Sequence, residues 1–407
     1  MIRIIEGGVC AARGFKANGI HCGIRRNKEK KDLALVVSDV RCTGGGVYTQ
    51  NKVQGAPILV DRLNLADGHA QALIINSGIA NTCNADGVEK AVGMTKLVEK
   101  ALGIPASDVL PSSTGVIGQP LPLGPIEDGM EALVSGLGSD PEHALAAELA
   151  IMTTDTRPKM CAAEFTLGGK TCRIGGMAKG SGMIHPDMAT MLVFLTTDAT
   201  ISPEMIRKAL SADVKNTFNM TSVDGDTSTN DTCILLANGL AGNEAITEEG
   251  ADFEVFMKAL NTVTVALCRM IAGDGEGATK LLECTVTGAK DEAAAKTAAK
   301  SVICSSLVKA AMFGADANWG RVLCAIGYSG ADVDVDALDV SFVSEAGRIE
   351  VCRMGAGIPF SEETAKKILL EPEITIEVTL HEGDGRAVAW GCDLTYDYVR
   401  INGDYRT

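Results

Sequence analysis

Short apolar runs bounded by Gly, Asn or Asp alternate with longer runs of helical spacing in the first part of the chain. The β-branched runs LALVVSDV (33–40), APILVD (56–61) and QALIINSG (71–78) predict three strands. Apolar residues recur at helical spacing over 90–102 and 141–153, which predicts two helices. This mixture indicates an α+β or mixed α/β fold in which helices cover layered sheets.

The middle of the chain combines a hairpin pattern with longer helices. Residues 164–180 predict a hairpin that turns at the Gly-Gly pair 168–169, because a two-residue turn favours positive φ at both positions. A strand is predicted over 191–199, and helices are predicted over 203–218 and 253–273. The second of these helices is expected to be mostly buried and to end at a glycine.

Composition shifts near residue 285, where an alanine-rich helical segment begins. Strand-like runs follow it at 335–343, 348–354, 374–380 and 387–394. We therefore divide the 407 residues into a core at 1–285 and a smaller C-terminal α+β domain at 286–407. The final tail is expected to reach away from that domain.

Composition also narrows the possible partners and the compartment. A net charge of −15 argues against a nucleic-acid partner and against an anionic membrane surface. The thirteen cysteines are scattered and contain no CxxC pair, which is typical of reduced thiols in a cytoplasm. We recognise neither a signal peptide nor an apolar stretch of membrane-spanning length, so we expect a soluble cytoplasmic protein.

Metal and histidine chemistry have little support in the sequence. No histidine pairs with a second His or a Cys at metal-ligand spacing, so we expect no metal site. His185 lies in a glycine-rich segment and is interpreted as structural, and no GxSxG nucleophile motif occurs. The five histidines are His21, His69, His143, His185 and His381.

Three segments resemble ligand-binding loops only superficially. In GDGEGATK (273–280) the lysine comes too late for a P-loop, which leaves two interpretations: a helix end with a turn, or a site where Glu276 meets a cation or a transferred proton. VDGDTSTNDT (223–232) lacks the Gly and Glu of a calcium loop and favours Asx and Ser/Thr turns. TGGGVYT (43–49) is predicted as a flexible turn.

The segment PSSTGVIG (111–118) places Thr114 and Gly115 directly after a short polar run. Its backbone N–H groups and hydroxyls suit an oxyanion. A helix N-cap uses the same residue types, and the local sequence favours that interpretation.

In KGSGMIHPDMATMLVFLTTDA (179–199), Thr190 follows Ala189 where a glycine-rich approach enters an apolar run. A threonine hydroxyl needs a base to act as a nucleophile, and a cut at Ala189–Thr190 would supply the threonine's own α-amine. Such an amine titrates near about 7.7–8.0, so it can accept a proton at neutral pH. The competing interpretation is a strand-opening threonine, which its β-branch favours.

Six segments in order closely resemble the ornithine acetyltransferase (ArgJ) family of arginine biosynthesis, and the resemblance covers essentially the whole chain. They are KGSGMIHPDMATML, SSTGVIG, VDGDTSTNDT, GDGEGATK, ADANWGRV and YVRINGDYRT. The resemblance implies a layered α/β/β/α sandwich, shared with self-processing aminopeptidases of the DmpA kind, plus the C-terminal domain. It also implies a precursor that cuts itself between Ala189 and Thr190 and fragments that assemble as an α2β2 heterotetramer. Gly403 replaces the more common Ala, which leaves the catalytic positions untouched.

The same resemblance implies roles for individual residues. Thr190 is expected to be the nucleophile, and Thr114 and Gly115 are expected to stabilise the oxyanion. The implied substrate-binding residues are Thr153, Lys179, Thr190, Glu276, Asn402 and Thr407, with the C-terminal tail contributing to the site. The implied reaction moves acetyl from N2-acetylornithine to glutamate by a ping-pong mechanism through acetyl-Thr190. No cofactor is expected, although acetyl-CoA is a possible second acetyl donor that would make the enzyme bifunctional.

Two other functions fit parts of the sequence. A self-processed N-terminal-nucleophile amidase or aminopeptidase would give the acyl group to water instead of glutamate. A catalytically silent binding protein would keep Ala189–Thr190 intact. The substrate-fitting set that includes Lys179, Glu276 and Asn402 favours the acetyltransferase.

Overall fold

The computed structural model of the chain describes residues 2–185 and 191–404. These residues form two compact units. The first unit comprises 2–180, 191–219 and 227–267, and the second comprises 181–185, 220–226 and 268–404. The predicted site residues Ala189, Thr190 and Thr407 lie outside the described residues.

The regular elements are numbered in chain order. The strands are β1 (Arg3–Ile5), β2 (Phe15–Ile20), β3 (Leu33–Tyr48), β4 (His69–Asn76), β5 (Val109–Ser113), β6 (Met160–Leu167), β7 (Lys170–Lys179), β8 (Leu192–Thr197), β9 (Thr221–Ser222), β10 (Thr232–Ala237), β11 (Leu281–Ala289), β12 (Asp339–Ser344), β13 (Gly347–Arg353), β14 (Ala356–Gly357), β15 (Glu373–Thr379) and β16 (Gly385–Cys392). The α-helices are α1 (Ala56–Asn64), α2 (Gly87–Leu102), α3 (Leu123–Ser135), α4 (Pro141–Ile151), α5 (Pro203–Asp213), α6 (Ala251–Gly273), α7 (Glu292–Cys304), α8 (Ser306–Phe313), α9 (Trp319–Gly327), α10 (Glu362–Leu369) and α11 (Tyr396–Gly403).

The first unit is built on a nine-stranded sheet with the strand order β1-β6-β7-β8-β10-β3-β4-β5, and β2 also pairs with β3. The first half of β3 pairs with β2 and β4. Its second half pairs antiparallel with β10, and an irregularity between Val37 and Cys42 separates the two halves. One long strand therefore serves two groups of strands, because its pairing partners change along its length.

Alternation along β3 distributes its side chains between two cores. Val36 packs in one core with Phe194 of β8 and Ile234 of β10. Leu35 faces the opposite core, which includes Met94 of α2. With a period of two, β3 thus contributes side chains to one core shared with β8, β10 and α4 and to another shared with α2.

Helices also pack against β6 and against the second half of β3. Phe256 of α6 meets Phe165 of β6 edge to face, with ring centroids 6.1 Å apart. A Cβ on Gly45 would lie 2.8 Å from Ile206 Cγ2 of α5, so α5 approaches the β3 backbone closely. The layered α/β/β/α sandwich expected from the sequence is confirmed.

Two sequence predictions in this unit are wrong. The run APILVD (56–61) is the start of helix α1, because Gly55 precedes it in an extended conformation and Pro57 suits the first helical turn. A short apolar run cannot by itself distinguish a buried strand from a buried helix. The glycines of TGGGVYT lie inside β3, paired with β10, where α5 and neighbouring side chains leave no room for Cβ atoms.

Other predictions in this unit are confirmed. The strands predicted at 33–40 and 71–78 correspond to β3 and β4, and the helices predicted at 90–102 and 141–153 correspond to α2 and α4, with 71–78 and 141–153 each extending two residues past the observed end. Gly168 and Gly169 form the two-residue turn between β6 and β7, with φ of 51° and 77°. The prediction of this hairpin succeeded because the turn depends on its own two residues and not on distant parts of the chain.

Helix α6 confirms the long helix that ends at a glycine and corrects one expectation. Among the described residues it is the one helix long and apolar enough to cross a membrane by length and composition, with a mean hydropathy of 1.4. Half of that apolar window is buried inside the protein, as in a core helix. By length and composition alone, α6 contradicts the expectation that the sequence contains no apolar stretch of membrane-spanning length.

The second unit contains a seven-stranded sheet with the order β14-β13-β12-β15-β11-β16-β9. The predicted domain boundary after residue 285 falls inside β11, which pairs with both β15 and β16. The tail predicted to reach away forms α11 instead. A Cβ on Gly277 would lie 2.8 Å from Tyr398 N, so α11 packs back against its own unit.

All thirteen cysteines are unpaired, and most are buried. Burial raises the pKa of the Cys10 and Cys42 thiols to about 12, which disfavours the reactive thiolate.

Asp61 of α1 is a fully buried carboxyl group in the first unit. Neither of its carboxylate oxygens has a hydrogen-bond partner among the described residues. Burial raises the pKa of Asp61 well above its usual value, so the folded chain favours the protonated acid.

We expect Asp61→Asn to stabilise the protein increasingly as pH rises. The unfolded chain releases the Asp61 proton near pH ~4, whereas the folded chain keeps it. Each pH unit between the two pKa values therefore removes up to about 1.4 kcal/mol of stability, a loss that Asn avoids. Thermal unfolding at pH 5 and pH 8 should show a difference in Tm between variant and parent that grows with pH.

Asp39→Asn is the matched control, because Asp39 is half-exposed in a surface ion pair with Lys16. Its Tm difference should stay nearly constant between the two pH values. A constant difference for Asp61→Asn as well would show that Asp61 is ionised in the folded chain.

Candidate active site

Thr114 and Gly115 form a turn directly after β5, which ends at Ser113. The next α-helix begins only at Leu123, so the helix N-cap interpretation of this segment is wrong. Thr114 N–H donates to Asn76 O over 3.0 Å, which continues the pairing of β4 with β5. The threonine is therefore fixed by the sheet and not by a helix.

Gly115 cannot be replaced by any residue with a side chain without rearrangement. Its φ is 128°, and a Cβ would lie 2.2 Å from the carbonyl carbon of Gly78. No hydrogen bond joins the Thr114 hydroxyl or the Gly115 N–H to another residue in the part of the chain that is described. Two donors on such a turn have the chemistry to stabilise an oxyanion, the role that the family resemblance implies.

Two buried asparagines hold this turn, and sequence reasoning missed both. Asn230 Nδ2 donates to Ala80 O over 2.6 Å and to Ser113 O over 2.9 Å. Asn76 Oδ1 accepts a hydrogen bond of 2.6 Å from the Ser113 hydroxyl. Asn230 lies within the segment VDGDTSTNDT, but its partners Ala80 and Ser113 are far away in sequence, as is the Ser113 partner of Asn76.

Thr153 and Lys179 lie in the first unit, and a carboxylate between them joins their segments. Asp155 Oδ2 accepts the Thr153 N–H over 3.0 Å. Asp155 Oδ1 accepts the Gly180 N–H over 2.8 Å, one residue beyond Lys179. The same Oδ1 accepts a hydrogen bond of 2.7 Å from Lys159 Nζ.

The three buried acids near Lys159 and Lys179 differ in the direction of their pKa shifts. Burial opposes ionisation of Asp155, but Lys159, Lys179 and the hydrogen bonds outweigh it, so its pKa lies below the usual value. Burial raises the pKa of Glu148 and of Asp231 well above the usual value. The neutral acid is favoured at these two positions, whereas Asp155 favours the ionised form.

Glu276 and Asn402 lie together in the second unit, as the resemblance implied. Asn402 Nδ2 donates to Glu276 Oε2 over 2.7 Å. Glu276 follows the end of α6 and is buried, with 8% of its surface exposed. A Cβ on Gly182 would lie 2.5 Å from the Glu276 carboxyl carbon, so the glycine admits this side chain.

Asp224 organises the loop that leads toward the predicted cleavage bond. Its carboxylate accepts the N–H groups of Met183 and Ile184 over 2.7 and 2.9 Å. It also accepts the Asp226 N–H over 3.2 Å, which is the predicted Asx turn. Within the described residues no group of three or more His, Cys, Asp or Glu could hold a metal ion.

His185 has structural contacts within the second unit. Its Nδ1 lies 3.1 Å from Ser222 Oγ and 3.5 Å from Cys304 Sγ. Where the described chain resumes, Met191 O accepts the Thr232 N–H over 2.8 Å. The chain that follows the predicted nucleophile therefore joins the sheet at once through β8.

The protein is thus a layered α+β sandwich. Its Thr114–Gly115 turn carries two hydrogen-bond donors of the kind that acyl transfer uses. A family model described as the ArgJ family matches residues 16–407. The arginine biosynthesis bifunctional protein ArgJ 1 of Clostridium acetobutylicum is 51% identical over 395 residues, 97% of this chain and 96% of that protein. The bifunctional protein ArgJ of Caldanaerobacter subterraneus is 49% identical over the full length of both chains.

A solved structure is similar in sequence as well. It is an ornithine acetyltransferase from Mycobacterium tuberculosis complexed with ornithine, 34% identical, with a TM-score of 0.43, covering 46% of this chain and 100% of that chain. This chain belongs to the ArgJ family. The expectation of an acetyltransferase enzyme in arginine biosynthesis is confirmed.

We expect Gly115→Ala to lower acetyl transfer by roughly 10²–10³-fold, the scale for losing one oxyanion donor. The added Cβ would push the turn off Gly78 and move the Gly115 N–H out of position. Steady-state kinetics and a thermal melt on the purified variant measure rate and folding separately.

Gly118→Ala provides the matched control. Gly118 also has positive φ, 81°, but a Cβ added there would have no other atom within 4 Å. It should keep most of the activity, and equal losses in the two variants would assign the effect to backbone strain.

Proposed function

We propose that this enzyme transfers acetyl from N2-acetylornithine to glutamate, yielding ornithine and N-acetylglutamate. The observation that carries the proposal is the Thr114–Gly115 turn, whose two donors are held by buried asparagines and face no protein partner among the described residues. Preorganised donors of this kind stabilise the tetrahedral intermediate of acyl transfer.

Thr190 is proposed as the nucleophile after self-cleavage at Ala189–Thr190. Its Oγ attacks the acetyl carbonyl carbon, while its α-amine accepts the hydroxyl proton and passes it to the departing ornithine amine. The amide C–N bond then breaks and leaves acetyl-Thr190. The α-amine of glutamate attacks this ester, its proton returns to Thr190 Oγ, and the cycle closes.

The remaining site residues are proposed to bind the substrates. The Lys179 ammonium suits the substrate α-carboxylate. The Glu276 carboxylate, held by Asn402, suits the ornithine side-chain ammonium or a proton in transfer. Thr153 and Thr407 complete the proposed set, and exclusion of water protects the acetyl-enzyme from hydrolysis.

We also propose the finer properties that the family resemblance implies. The two fragments assemble as an α2β2 heterotetramer in the cytoplasm, without nucleic-acid or membrane partners. No cofactor is required, and acetyl-CoA serves as a second acetyl donor. The names of the relatives, which call them bifunctional, support the last point.

We expect the purified enzyme to form N-acetylglutamate from N2-acetylornithine and glutamate, and also from acetyl-CoA and glutamate. Mass spectrometry with an acetyl-labelled donor should place the label in acetylglutamate. Free labelled acetate without acetylglutamate would instead indicate the amidase or aminopeptidase. Failure with acetyl-CoA alone would leave a monofunctional transferase.

We expect Thr190→Ala to leave the chain uncut and inactive, because it removes both the attacking hydroxyl and the route to the free amine. Denaturing electrophoresis and intact mass detect the cut. Thr297→Ala, at an exposed helical threonine, should be cut and active like the parent. A cleaved, active Thr190→Ala protein would rule out this nucleophile, and an uncut parent would favour the silent binding protein.

A further inference from the structure

Asp155 is a buried carboxylate to which the proposed reaction assigns no role. It is 6% exposed and lies in the segment between α4 and β6. Its two oxygens accept different hydrogen bonds. Oδ2 accepts one from the Thr153 N–H, and Oδ1 accepts one from the Gly180 N–H and one from Lys159 Nζ. The carboxylate thus ties the Thr153 segment to the end of β7, where Lys179 lies.

Two other buried acids lie near Lys159 and Lys179. Lys159 and Asp155 form an ion pair of 2.7 Å with both side chains buried. Glu148 accepts the Lys159 N–H over 3.0 Å, and Asp231 is buried within electrostatic reach of Lys179. Burial favours the neutral form of both of these acids, so neither favours a full negative charge beside the two lysines.

We propose that Asp155 is a positioning residue: it fixes Thr153 and Lys179 in one geometry so that the Lys179 ammonium meets the substrate α-carboxylate. This inference rests on the proposed function, in which Lys179 binds that carboxylate. The mechanism is direct, because the Gly180 N–H held by Asp155 belongs to the peptide bond that follows Lys179. Hydrogen bonds to a charged acceptor are strong enough to fix a backbone in this way.

A positioning role predicts a loss that depends on the substrate's carboxylate. The test compares N2-acetylornithine with its decarboxylated analogue, N-acetyl-1,4-diaminobutane, as acetyl donors to glutamate. In Asp155→Asn, the amide cannot accept all three hydrogen bonds, so Lys179 is released from its position. We expect the preference for the carboxylated donor, as a ratio of kcat/KM values, to fall about tenfold or more, mainly through KM.

Asp198→Asn is the matched control. Asp198 is also buried in the first unit and accepts two backbone N–H groups, from Arg173 over 2.7 Å and from Arg13 over 3.3 Å. Its preference ratio should equal that of the parent. An equal loss on both donors in Asp155→Asn, with an unchanged ratio, would overturn the proposal and leave Asp155 a purely structural residue.

Two further variants separate this inference from the proposed function. Lys179→Met should abolish the preference, and a retained preference would contradict the carboxylate role of Lys179 itself. Asp155→Glu keeps the charge and should restore part of the preference that Asp155→Asn loses. If neither Asp155 variant folds, as judged by near-UV circular dichroism, the residue serves the stability of the fold and the proposal fails.

Discussion

The hydrogen-bonded pairing along β3 is the constraint on which the first unit depends. Its first half pairs with β2 and β4, and its second half pairs with β10. Since β5 pairs with β4, and β8 pairs with β10, this single strand sets the positions of both the Thr114 turn and the start of β8. Three consecutive glycines in β3 permit the close approach of side chains that this double role requires.

Burial does more here than stabilise the core. The same desolvation favours the neutral forms of Asp231 and Glu148, which lie near Lys179 and Lys159. A chain with a strongly negative net charge can therefore present a cationic cluster to a small anionic molecule. Local dielectric surroundings, and not overall charge, decide which sign a site displays.

Features that depend on neighbouring residues could be predicted from the sequence. The Gly168–Gly169 hairpin, the Asx turn at Asp224 and most long helices belong to this group. The prediction for the run at 56–61 failed because its apolar residues are too few to reveal a period. The prediction for the glycines of β3 failed because their neighbours come from α5 and β10, far along the chain.

Some residues of the candidate site could likewise be predicted from the sequence, and others could not. Thr114, Gly115, Lys179 and Glu276 were found through motifs that stand out in the sequence. Asn230 and Asp155 hold backbone groups far along the chain, and Asn76 accepts a hydrogen bond from the distant Ser113 hydroxyl. The sequence alone does not reveal these contacts. Their discovery required the three-dimensional arrangement.

The strand pairing also bears on what a cut chain would become. The segment after residue 190 contributes β8 and β10, whereas the segment before it contributes β7 and β3. Backbone ladders β7–β8 and β3–β10 run across that divide. A severed peptide bond would leave two polypeptides woven through one sheet, which could separate only if the sheet itself unravelled. Such a cut would break one peptide bond and leave the strand pairing of the sheet unchanged.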